Sequence, residues 1–139
     1  MKLEGELIVK EILIVEDERV LRDALRHSLE AAGYAVRVAR DGVQGVEEWE
    51  RKRPDLIIMN GEMPHKNGLQ ATAEIRERDS QTPIILLSAW CGVPDKIESI
   101  KRQMPGAYAD FVDPNTSEDA LLAIIRDLVS DEGTKAGIA

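Results

Sequence analysis

With only one cysteine, Cys91, the chain has no internal disulfide; this excludes a disulfide-stapled scaffold and suits a reducing compartment. The cytoplasm is the expected location. No stretch approaches the roughly 18 uninterrupted apolar residues of a membrane span. The opening MKLEGELIVK places glutamates where the apolar segment of a signal peptide would stand, so neither an address nor an anchor is legible. Positive charge is scarce too: 18 lysines and arginines against 26 acids leave a net charge of -8. Nucleic-acid binding relies on lysine and arginine to release counterions from phosphates, so this balance argues against such a partner and for proteins. What is present is 139 residues without internal repeat or low-complexity linker. That length fits one domain, able to bury roughly two-thirds of its unfolded surface.

Apolar periodicity gives strands and helices in alternation. ILIV at 12–15 is a continuous run of the kind buried on both faces, and it stops at the acidic EDE. Leu21, Ala24, Leu25 and Leu29 then recur at helical spacing, with Gly33 as the helix stop. YAVRVA alternates Val36 and Val38 as a half-buried edge strand does, and DGVQGVEEWERKR sets Val43, Val46 and Trp49 three apart on a second helix. Pro54 precedes a third strand, Leu56-Ile57-Ile58-Met59, which ends on Asn60. Asn67 is placed to cap a third helix with Leu69, Ala73 and Ile75 on one face, and Pro83 introduces a fourth strand, IILLS at 84–88.

Ile97, Ile100 and Met104 mark a fourth helix, Pro105 terminates it, and Gly106 separates it from DFV at 110–112, a short fifth strand. Asn115 with Glu118 three residues later reads as the capping pair of a last helix, striped by Leu121, Leu122, Ile125, Leu128 and Val129. This series implies an α/β, doubly wound five-stranded parallel sheet with five helices covering both faces. The domain is expected over residues 10–129, between a leader at 1–9 and a fraying tail at 130–139. In the leader, Leu7, Ile8 and Val9 form an apolar cluster that suits an added edge strand, a homodimer contact or simple packing.

Asn60-Gly61 after an apolar run is also a hairpin signal, but EMPHKNG beyond it contains a proline and no alternation that could pair as a returning strand. Parallel strands of this topology expose their carboxyl ends along one edge, where ligands bind. Glu16 and Asp17 leave the first strand there, Asn60 the third, Ser88 the fourth and Asp113 the fifth. Two adjacent carboxylates with loop carbonyls suit a hard divalent cation such as magnesium. Alone, Glu16, Asp17 and Glu18 are equally explained as the start of the first helix, where negative charge complements the dipole.

The pattern as a whole resembles the receiver domain of bacterial two-component response regulators. The matching segments are ILIVEDE, DGVQGVE, PDLIIMNGEMPHKNGLQATAEIR, PIILLSA, GAYADFVDP and the closing helix, over roughly residues 10–129. The resemblance implies a flavodoxin-like fold with strand order 2-1-3-4-5. It also implies a signalling module rather than an enzyme, with magnesium-dependent phosphoryl transfer from a histidine kinase to an aspartate. By the same resemblance Glu16 and Asp17 match the metal-binding pair, Glu62 the position whose carbonyl completes the metal site, and Ser88 the hydroxyl that contacts the phosphoryl group.

Three positions depart from the family pattern. Asn60 stands at the phosphoacceptor position, where an amide is too weak a nucleophile to attack a phosphohistidine. Asp113 stands where the family has a lysine that neutralises the phosphoryl charge, exchanging attraction for repulsion. Asp110 stands where receivers commonly carry an aromatic switch residue. These departures favour a pseudo-receiver that binds a histidine kinase or a downstream signalling protein without being phosphorylated. Two other readings stay open: a phosphoaccepting receiver whose acid was replaced or is regenerated by deamidation at Asn60-Gly61, and a constitutive divalent-cation site. Trp90 either covers the pocket mouth or packs on its own loop, Cys91 is a bystander, and His27 and His65 are expected on the surface.

Overall fold

The computed structural model describes residues 8–88, 94–103 and 109–130. Five strands and five helices alternate along it. β1 (Glu11–Val15) leads to α1 (Arg19–Ala31), β2 (Ala35–Ala39) to α2 (Gly42–Arg51), and β3 (Leu56–Asn60) to α3 (Gly68–Arg76). β4 (Ile84–Leu87), α4 (Pro94–Gln103), β5 (Asp110–Val112) and α5 (Glu118–Val129) complete the order. The strands form one parallel sheet in the order β2-β1-β3-β4-β5, as expected from the sequence. Among the described residues no helix is long and apolar enough to cross a membrane.

The continuous apolar strands reflect a sheet buried on both faces. Side chains alternate along each strand, so Leu13, Val15, Ile57, Met59, Ile84 and Leu86 meet Val46 and Trp49 of α2 and Leu69, Ala71 and Ile75 of α3. The intervening residues Ile12, Ile14, Leu56, Ile58, Ile85 and Leu87 form a second layer with Leu29 of α1 and Leu121 and Ile125 of α5. β2 lies at the sheet edge, and its Val36 and Val38 are half-buried, as the alternation predicts.

Local chemistry sets the element ends. Gly33, at φ 99°, donates its N–H to Glu30 O, and Tyr34 N reaches Leu29 O, so α1 closes in a Schellman motif that needs a left-handed residue. Asp41 caps α2 by accepting the N–H of Gln44 at 2.8 Å. Asn67 caps α3 in a reciprocal capping box with Gln70, as its position predicts.

Three expectations are corrected. Ser117, not Asn115, caps α5, its hydroxyl accepting from Ala120 N at 3.2 Å. Asn115 is held instead in the turn Asp113–Thr116: Asp113 Oδ1 takes the Asn115 N–H at 2.8 Å, and Thr116 N donates to Asp113 O at 2.9 Å, with Pro114 at the second turn position. Val43 is 43% exposed, leaving Val46 and Trp49 to bury the face of α2. On α1 only Leu29 is buried, while Leu21 and Ala24 are exposed. Leu7, Trp90, Cys91, Met104, Pro105, Gly106 and residues 131–139 lie outside the described residues.

Candidate functional site

The carboxyl ends of β1, β3 and β5 bring Glu16, Asn60 and Asp113 to the lining of one cavity of about 320 Å³. Its body is apolar, formed by Leu21, Ala24 and Leu25 of α1, Leu121 and Leu122 of α5, and Leu87 at the end of β4. The exposed Leu21 and Ala24 of α1 are therefore the wall of a trough between α1 and α5. Among the described residues neither lysine nor arginine lines it.

Asn60 sits at the centre of the polar end. Its Nδ2 donates to Glu16 Oε2 at 3.0 Å and to Asp17 Oδ1 at 3.3 Å, while its Oδ1 accepts the Glu62 N–H at 3.1 Å. Glu16 Oε2 also accepts the N–H of Glu18 at 3.0 Å, and the Arg22 guanidinium donates to the Glu16 carbonyl at 3.0 Å. Glu16 is 2% exposed. Burial pushes its carboxyl above the ordinary carboxylate range and the adjoining Asp17 adds to that push, whereas the Glu18 N–H and the Asn60 amide pull it back.

Ser88 is buried immediately behind this centre. Its N–H donates to Val112 O at 3.1 Å, and a Cβ placed on Gly61 would stand 3.1 Å from the Ser88 Cβ. Asp113 lies at the cavity but is exposed, its carboxylate turned to the Asn115 N–H. Glu62 is exposed and enters through its backbone. Asp110 stands apart, exposed at the start of β5 and paired in register with Ile85. His27 and His65 are both exposed, His65 in a left-handed conformation at φ 68°.

The donor set bears directly on whether magnesium fits. Glu16, Asp17 and the Glu62 carbonyl are hard oxygen donors of the right kind. The Asn60 amide, however, points its two N–H bonds at the two carboxylates a cation would share. Among the described residues no group of three or more histidine, cysteine or acidic side chains is arranged to hold a metal ion. With the amide so placed, the cleft does not fit magnesium.

Sequence reading missed two parts of the site. The trough was hidden because Leu21, Leu25, Leu121 and Leu122 carry an ordinary helical stripe; only the separation of α1 from α5 distinguishes a cavity wall from a packed core. The other is Gly68, whose added Cβ would meet Asn60 O at 2.2 Å, so α3 starts hard against the end of β3. The glycine following an N-cap asparagine was the available signal.

A family model for the response regulator receiver domain matches residues 12–126. Similar curated proteins include the uncharacterized transcriptional regulatory protein YkoG of Bacillus subtilis, 36% identical over 124 residues that cover 89% of this chain and 53% of that protein. The response regulator MprA of Mycobacterium leprae is 35% identical, with 85% and 50% covered. The chain thus spans about half the length of the curated relatives it matches. Among solved structures, the receiver domain of the sensor histidine kinase PA1611 from Pseudomonas aeruginosa, with magnesium in its active-site cleft, is 30% identical at a TM-score of 0.73, covering 88% of this chain and 98% of that one. TrrA of Thermotoga maritima, in complex with Mg(2+)-BeF, is 28% identical at 0.75, with 86% and 99% covered. With its sheet order, its carboxyl-edge cleft and these matches, the chain belongs to the response regulator receiver domain family.

Proposed function

We propose that this chain is a pseudo-receiver, a phosphorylation-incompetent member of its family that acts through contact with a protein partner. Receiver domains are signalling modules of two-component phosphorelays rather than enzymes, and they work with histidine kinases or downstream effectors. The observation that carries the reading is Asn60 at the end of β3, its amide engaged with Glu16 and Asp17. In this assignment Asn60 holds the phosphoacceptor position, and its amide offers no carboxylate oxygen for attack on a phosphohistidine. Asp113 takes the lysine position, Asp110 the switch position and Ser88 the hydroxyl position. Glu16, Asp17 and the Glu62 carbonyl are the metal positions, with a magnesium ion no requirement of this reading.

The apolar trough between α1 and α5, together with Val20 exposed at 83% on α1, supports contact with a histidine kinase, a downstream protein or a second copy. Regeneration of the acid by deamidation is disfavoured locally. That reaction needs the Gly61 nitrogen to attack the Asn60 side chain, yet Gly61 N donates to Leu87 O at 2.8 Å and the amide is held by its own hydrogen bonds. Acetyl phosphate with magnesium tests the proposal, using intact mass as the readout. Wild type is expected to stay unlabelled and the double variant Asn60→Asp with Asp113→Lys to gain a phosphoryl group. A stable acyl phosphate on wild type would overturn the reading.

A further inference from the structure

We infer that the Asn60 side-chain amide is a built-in substitute for the divalent cation, ordering the acidic cleft without metal and keeping metal out. This goes beyond the loss of phosphorylation, because it concerns what holds Glu16 and Asp17 together. Two carboxylates leaving the same strand repel one another, and one of them is buried at 2% exposure. Hydrogen-bond donors placed between them offset that repulsion. Elsewhere in such chemistry a cation does so; here the two N–H bonds of one amide are divided between Glu16 Oε2 at 3.0 Å and Asp17 Oδ1 at 3.3 Å.

The amide orientation is fixed by its other end. Asn60 Oδ1 accepts the Glu62 N–H at 3.1 Å. Turning the amide over to offer oxygen to a cation would set its N–H bonds against that N–H, donor facing donor, and would take the amide donor from both acids, leaving Glu16 the Glu18 N–H. Glu16 Oε2 already accepts a second bond, from Glu18 N at 3.0 Å, so both acceptor sites of that one oxygen are taken up. The loop cannot easily move aside either, because Gly68 N donates to Gly61 O at 3.2 Å and α3 packs against Asn60 O. A cation bridging Glu16 Oε2 and Asp17 Oδ1 would have to replace a donor already in place.

Nitrogen-15 spectra of the asparagine side-chain amides test this, with thermal melts at matched ionic strength. In wild type the Asn60 NH2 pair is expected to be unmoved by 10 mM magnesium and unbroadened by 0.1 mM manganese, about the millimolar range a carboxylate site answers to, with Tm constant to about 1 °C. Asn60→Asp is expected to melt lower without metal and to recover about 5 °C or more with magnesium. Asn60→Ala, which removes the amide without adding charge, should also melt lower without metal and gain from magnesium, keeping the test valid if the aspartate variant does not fold. Manganese broadening of the wild-type Asn60 pair, or an equal magnesium-dependent rise in Tm for wild type and variants, overturns the inference. Because no phosphoryl donor is present, neither result depends on whether the chain can be phosphorylated.

Discussion

Replacing Asp79 with alanine should destabilise the domain more than any change in the cleft. Asp79 follows α3 and is 3% exposed. Its Oδ2 accepts from the Trp49 indole Nε1 at 2.8 Å and from the Thr82 hydroxyl, and its Oδ1 from Gln81 N at 2.9 Å and Thr82 N at 3.1 Å. The residue therefore ties α2 to the turn before β4, while Arg53 and Arg78 lie over the Trp49 ring at 5.3 and 4.8 Å from its centre. In Asp79→Ala the exposed Gln81 N–H finds water and the Thr82 hydroxyl can rotate. The Trp49 indole, 1% exposed, and the Thr82 N–H are left without an acceptor. Each buried donor so stranded costs about 1–3 kcal/mol, and loss of one member of a buried charged network about 3–5 kcal/mol. The expected loss is about 3–5 kcal/mol of a total on the order of 5–15 kcal/mol.

Urea denaturation followed by fluorescence reads this directly, with the midpoint falling by about 2 M at unchanged slope. Acid adds a second signature. Burial opposes the Asp79 charge, but the four hydrogen bonds outweigh it and hold the carboxyl well below the ordinary range. A depressed carboxyl stabilises fully above its unfolded pKa of about 3.9, and that contribution drains away as pH falls below it. The gap between wild type and Asp79→Ala should therefore narrow steadily from about pH 4 toward pH 2. A gap under about 1 kcal/mol at pH 7, or one that stays constant in acid, would refute this account.

Two smaller perturbations test other parts of the fold. Gly68→Ala, whose Cβ meets Asn60 O at 2.2 Å, should cost about 1–3 kcal/mol in urea titration although alanine is the better helix former, and should shift the Asn60 side-chain resonances. Ser117→Ala should cost about 1 kcal/mol as a lost cap, whereas Asn115→Ala should cost less than half of that, since Asn115 contributes its backbone N–H to the turn.

Much of this architecture is legible in the sequence. The strands announced themselves because burial on both faces makes ILIV, LIIM and IILL continuous, and because Gly33 and Asn67 each had a single helix end to serve. The cap of α5 was ambiguous for a physical reason. Asn115 and Ser117 are both good caps, and the choice fell to Asp113-Pro114, whose turn claims the Asn115 N–H first. The cleft residues Glu16, Asp17 and Asn60 were legible from strand ends, yet the direction of the Asn60 amide was not, since it depends on the Glu62 N–H across the loop. Asp79 carried no periodic signal at all; a lone buried acid in a turn shows its worth only through the indole it meets 30 positions away in sequence.

Among the described residues, the alternation of side chains along β1, β3 and β4 divides the buried interior into two apolar layers with the strand backbones between them. Changes of side-chain volume on opposite sides should therefore combine additively. Substitutions lining the trough between α1 and α5 should leave the tie between Trp49 and Asp79 on the other side of the sheet intact.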